Sequence, residues 1–105
     1  MPKNSKDVVI VSALRTVIGK YKGMWAKIEA HNLGRSVIEN ILSQSKVNQS
    51  SIDEVIMGQV LTGGTGQNPA RQAARGAGIQ DEKTAYVINQ VCGSGLRAII
   101  SGYQS

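Results

Sequence analysis

Ala85-Tyr86-Val87-Ile88-Asn89, followed by Gln90-Val91-Cys92-Gly93-Ser94-Gly95 and then by Leu96-Arg97-Ala98-Ile99-Ile100, decides the fold. The first run is apolar and bounded by polar residues, as a strand is. Gly93 and Gly95 around Ser94 mark a tight turn. Leu96, Ile99, Ile100 and Tyr103 recur at i, i+3, i+4 and i+7, the period of an amphipathic helix. A strand that turns at once into a helix, with small neighbours around one reactive side chain, has the mechanics of a nucleophile elbow. That side chain is Cys92, the only cysteine in the chain. Thiolate is the reactive form of cysteine, and the orphan N–H groups and positive dipole end of a helix favour it. On the residues alone two readings stay open. Cys92 is a nucleophile whose turn N–H groups stabilise both a thiolate and an oxyanion, or it is the buried, inert cysteine common inside cells.

Working outward, Val8-Val9-Ile10-Val11 is β-branched throughout and leads into Ser12-Ala13-Leu14. It reads as a strand buried on both faces, central in a sheet. Arg15 to Gly23 has the glycines and polar residues of a surface loop. From Ala30, the residues Ala30, Leu33, Gly34, Val37, Ile38, Ile41 and Leu42 recur at helical spacing, and the polar stretch Ser43 to Ser51 ends that helix. Ile52 to Leu61 supplies a second strand. Asn68 and Pro69 are a helix-start signal, cap then first helical position. Ala70 to Arg75 continues as helix until Gly76 or Gly78 stops it. Strands and helices in alternation predict an α/β layered fold.

A length of 105 residues fits one small domain and excludes several. With no Phe, one Trp and three Tyr, the core is expected to be built from Val, Ile, Leu and Ala. Twelve Lys and Arg against seven Asp and Glu leave a net charge of +5, concentrated early in Lys3, Lys6, Arg15, Lys20, Lys22, Lys27 and Arg35. Such a surface favours anionic partners, a phosphorylated cofactor among them. Nucleic acid is set aside, because no helix is studded with Arg and Lys and no RNP-type aromatic pair is present, and a solvated basic face is the plainer reading. A single cysteine forms no internal disulfide and the first seven residues carry no hydrophobic secretory core, so the chain reads as cytoplasmic. The longest strongly apolar run, Val8 to Val11, is too short to span a bilayer.

Other candidate sites are weaker. His31, the only histidine, stands beside the apolar stripe of its helix and reads as a helix-start histidine rather than the base of a Cys and His pair. Gly63-Gly64-Thr65-Gly66 lacks the Gly-Lys-Ser/Thr ending of a phosphate cradle and reads as a loop. No metal site is expected, since one Cys and one His fall short of three strong ligands.

Asn89-Gln90-Val91-Cys92-Gly93-Ser94-Gly95-Leu96 closely resembles the acylation-site motif of the thiolases, in particular their short-chain acetyl-CoA acetyltransferases. Val9 to Thr16 with Ile18-Gly19-Lys20 resembles the family's first strand and following loop, with Leu14 and Val17 where the usual pattern has Ala and Pro. Glu54 to Leu61 and Gly66 to Ala74 match its second strand and next helix. The resemblance implies a thiolase-like layered α/β fold, of which residues 1–105 are the N-terminal part of the first half. It implies acetyl transfer between CoA thioesters through an acyl-enzyme on Cys92, whose backbone N–H contributes to an oxyanion hole. Acetyl-CoA and acetoacetyl-CoA are then substrates, and no cofactor is expected besides. The region Gly58 to Ala74 is implied to lie at a tight dimer interface, within a homo-oligomer of two or four copies. The family's downstream Gly-His-Pro, Asn-Glu-Ala-Phe and Cys-x-Gly-Gly motifs do not occur here. The last helix also runs to Ser105 without a stop signal, its apolar face lacking a partner. The chain therefore reads as an N-terminal fragment, inactive or nearly so alone. Two rival functions are a longer-chain 3-ketoacyl-CoA thiolase and a non-catalytic remnant that only dimerises or binds anions.

Overall fold

The computed structural model describes residues 5–105; Lys3 of the basic cluster lies outside them. Helix α1 spans Ala30–Ser45, a 3-10 turn Gln49–Ser51, strand β1 Glu54–Gly58, helix α2 Pro69–Gly76, strand β2 Thr84–Ile88 and helix α3 Ser94–Gln104. The two strands run parallel in one sheet, with Glu54 opposite Thr84 and Gly58 opposite Ile88. Parallel neighbours need a crossover, and α2 supplies it.

Strand alternation sorts the helices into layers. Met57 reaches Gly34 of α1, where a Cβ would come within 2.6 Å of its Cε. Ile56, one residue earlier, points to the opposite face and reaches Gly102 of α3. Helices α1 and α2 thus cover one side of β1 and α3 the other. In α1 the positions 33, 34, 37, 38, 41 and 42 are buried or half-buried, while 35, 36, 39, 40, 43 and 44 are exposed. The 3.6-residue period is realised as read.

Helix α2 is short, and its placement is fixed by its cap. Asn68 Oδ1 accepts from Arg71 N–H at 3.1 Å, and its Nδ2 donates to the Ala85 carbonyl of β2 at 3.0 Å. Arg71 extends the clamp with its guanidinium, donating to the carbonyls of Lys83 and Asp81. Asn68 also sits at φ 45°, a left-handed conformation that Asn tolerates better than most residues. Asn68→Ala is expected to lower stability by about 1–2 kcal/mol, losing cap, strand contact and conformational fit together. Urea unfolding of the two chains measures it.

The core is aliphatic as expected, and weighted to the smallest of the expected residues. Its buried apolar members are Ala70, Ala73, Ala74, Ile79 and Ala98, so alanine dominates. Small side chains let α2 approach α1 and the sheet closely, while the larger aliphatics other than Ile79 are half-buried or exposed. One reading is corrected. Val8–Val11 forms no strand, and its residues are between 50% and 82% exposed. A doubly buried strand needs ladder partners and covered faces, and the described sheet contains only β1 and β2. The segment instead edges an apolar cavity of about 690 Å³ bounded by Ile10, Leu14, Val37, Ile41, Ile56 and Ile99. On α3, the stripe of Leu96, Ile99 and Tyr103 is 64–68% exposed, an unpartnered apolar face as read, and the face turned inward carries Ser94 and Ala98. No helix among the described residues is long and apolar enough to cross a membrane.

Candidate active site

Because β1 and β2 are parallel, both end at the same edge, where crevices form in open α/β sheets. Gln59 N–H still donates to Ile88 O at 3.2 Å, and beyond that bond the ladder stops. Asn89 is the reason. Its Oδ1 accepts from Val91 N–H at 2.9 Å, an Asx turn, and its Nδ2 donates to Val60 O at 3.3 Å. The chain reverses at Val91, which adopts φ 49°. A β-branched residue there is a genuine outlier.

Ser94, buried at the head of α3, closes the turn from the other side. Its Oγ accepts from Gln90 N–H at 2.9 Å and donates to Val91 O at 2.6 Å, while its N–H donates to the same carbonyl at 3.1 Å. A trans peptide sets its C=O and N–H on opposite sides. With Val91 C=O turned in to Ser94, the Cys92 N–H therefore points away from the helix head. That N–H has no hydrogen-bond partner among the described residues. Cys92 itself is exposed, two residues before α3 begins, so it is not a buried cysteine. An accessible thiol beside a free N–H donor and a positive helix end can attack a carbonyl and hold the oxyanion that results.

Gly58 admits this arrangement. A Cβ on it would lie 2.5 Å from Ser94 C and 2.6 Å from Gly95 N, so the head of α3 rests directly on the end of β1. Sequence reasoning picks out Cys92 and gives no role to Gly58, Asn89, Val91 or Ser94. An Asn two residues before a turn amide is a readable Asx signal; the close approach at Gly58 crosses between distant segments and has none.

His31 lies elsewhere. Its Nε2 meets Glu29 Oε2 at 2.5 Å, in a cavity of about 110 Å³ edged by Gln59, Thr65 and Pro69, and it makes no hydrogen bond to Cys92. The glycine loop is a stapled loop, as read: Thr65 bonds back to Thr62 O, and Gln72 Nε2 donates to Thr65 O and Gln67 O. Across Gly58 to Ala74, Ala70, Ala73 and Ala74 are buried within this one chain, so those small residues serve its own core. Leu61 is left 83% exposed. Among the described basic residues Arg35 pairs with Glu39 at 2.8 Å, and Lys22 sits 5.5 Å above the Tyr21 ring.

Residues 8–105 match the family model described as "Thiolase, N-terminal domain". The acetyl-CoA acetyltransferase of Rhizobium meliloti is 50% identical over 101 residues, 96% of this chain and 26% of that protein. The cytosolic acetyl-CoA acetyltransferase of Rattus norvegicus is 47% identical over 105 residues, all of this chain and 26% of the relative. Among solved structures, the Acat5 thiolase from Ascaris suum in complex with coenzyme A superposes with a TM-score of 0.92 at 39% identity, over 94% of this chain and 26% of that one. The chain thus spans about a quarter of the length of these relatives.

Proposed function

This chain belongs to the thiolase family, and on that premise we propose that Cys92 is the acyl-accepting nucleophile of an acetyl-CoA C-acetyltransferase. The carrying observation is the exposed thiol on a clamped strand-to-helix elbow, beside a backbone N–H that no described residue occupies. The Cys92 thiolate attacks the thioester carbonyl of acetyl-CoA. The Sγ–C bond forms, the oxyanion takes a hydrogen bond from Cys92 N–H, and the C–S bond to CoA breaks as the CoA thiolate leaves and takes up a proton. Exchange of one thioester for another is nearly isoenergetic, so the acetyl group stays activated. The enolate of a second acetyl-CoA then attacks the acyl-enzyme carbonyl, forming the C–C bond of acetoacetyl-CoA and releasing the Cys92 thiolate. Thiolysis is the reverse. CoA thioesters enter as substrates and no further cofactor is invoked; the crystallised Ascaris relative holds coenzyme A, which supports that substrate class. We place the protein in the cytoplasm, with its cytosolic rat relative, and in a homo-oligomer through the exposed part of the Gly58 to Ala74 region.

The two half-reactions differ in what they need. Acylation uses Cys92 Sγ and N–H, both present. Enolate formation needs a base at the second acetyl-CoA, and the only histidine is paired with Glu29 and makes no hydrogen bond to Cys92. The chain alone is therefore expected to take one acetyl group without producing acetoacetyl-CoA. Incubation with acetyl-CoA and mass spectrometry of the tryptic peptide 84–97 tests this. A hydroxylamine-labile acetyl on Cys92 supports the proposal; acetylation confined to lysines, or none, overturns it.

A further inference from the structure

The elbow's strain is concentrated at Val91, not at the cysteine. At φ 49° its backbone lies in the left-handed region that a β-branched residue avoids. Its side chain is 64% exposed and gives little packing in return. Something must hold the conformation, and Asn89 meets the requirement from the N-terminal side. Its Oδ1 takes the Val91 N–H at 2.9 Å, and its Nδ2 ties the turn to Val60 O, beyond the neighbouring strand. Ser94 takes the Val91 carbonyl. With both peptide planes that flank Val91 anchored, the direction of the Cys92 N–H follows.

We propose that Asn89 is a positioning residue that holds Val91 in its left-handed conformation and thereby aims the N–H and Sγ of Cys92. The proposal rests on the reading of Cys92 as acyl acceptor only through the choice of acetylation as one readout. Glycine reaches positive φ without the steric cost that valine bears. A glycine at position 91 should therefore hold the turn with less help from Asn89. If Asn89 served only to tie loop 60 to the elbow, position 91 would not matter.

The experiment is a double-mutant cycle on the chain. Asn89→Ala is expected to slow acetylation of Cys92 by acetyl-CoA about tenfold, a rate equivalent of releasing a strained non-glycine residue. In a Val91→Gly background the same change is expected to cost less than about threefold. An equal loss in both backgrounds overturns the proposal, as does no loss in the first. Amide hydrogen exchange at residue 91 reads the strut without acetylation. Asn89→Ala should speed it about tenfold in the valine chain, and unchanged exchange overturns the proposal. A wild-type chain that fails to acetylate would count against the Cys92 reading, while exchange would still decide the role of Asn89. Should Asn89→Ala not fold, Asn89→Ser, whose hydroxyl caps such a turn more weakly, takes its place with the same rescue expected.

Discussion

Cys92→Ser is expected to lower acetyl transfer from acetyl-CoA to the chain by about a thousandfold or more, with stability unchanged within about 0.5 kcal/mol. The two halves of that expectation come from different features. Sγ has no hydrogen-bond partner among the described residues and its residue is exposed, so exchanging sulfur for oxygen breaks no packing and orphans no polar group. The elbow is held by Asn89 and Ser94, not by Cys92, and both clamps survive the change. Nucleophilicity does not survive it. A thiol is intrinsically nucleophilic, whereas a serine hydroxyl needs an adjacent base. The only histidine here is paired with Glu29 in a cavity that Cys92 does not line. Mass spectrometry of peptide 84–97 reads the loss, and matching urea curves read the intact fold. A serine chain that acetylates at position 92 as fast as the cysteine chain would show that the reaction does not run through this side chain.

What the sequence made legible was whatever is encoded within one segment. The period of Leu33, Gly34, Val37, Ile38, Ile41 and Leu42 announces α1, and its burial follows that period. Asn68-Pro69 announces the start of α2, and Asn68 caps it. The strand, the turn and the helix around Cys92 are each written locally, and β2 and α3 stand within one or two residues of the reading. What was not legible depends on which segments meet. Four β-branched residues at Val8 read as a central strand, but β-propensity describes the fit to a pleated surface that neighbours must supply. The residues that α3 turns inward were not legible for a related reason. Apolar periodicity marks Leu96, Ile99 and Tyr103, yet the backbone of α3 comes so close to β1 that only its small residues fit there, and Ser94 and Ala98 turn inward. Positive φ at Val91 breaks the local preference of its own residue, so no local rule finds it.

The close approach that turns α3 around makes Gly58 the residue whose substitution should do most to the elbow as a unit. In Gly58→Ala the added methyl would meet Ser94 C at 2.5 Å, Gly95 N at 2.6 Å and Ser94 O at 2.7 Å. All three are backbone atoms, so no side chain can rotate out of the way. Either β1 or the head of α3 must move, at a cost of about 1–3 kcal/mol for overpacking of this kind. The movement has a direction. Ser94 holds the Val91 carbonyl and the Gln90 amide, so displacing it loosens the turn that aims Cys92, and acetylation should fall even in molecules that remain folded. Gly95→Ala, whose backbone N belongs to the contact but whose own Cβ points away from it, separates the steric effect from loss of glycine as such. Nothing lies within 4 Å of a Cβ there, and the position is inside α3. Alanine is the better helix former by about 0.5–1 kcal/mol, so this variant should be as stable as the parent or more so, and should acetylate at a similar rate. Urea unfolding and acetylation measured on both variants check the pair. If the two alanines behaved alike, the contact between the end of β1 and the head of α3 would not be what sets the elbow. If only Gly58→Ala loses both stability and acetylation, the reactive turn depends on a residue 34 positions earlier in the chain than Cys92.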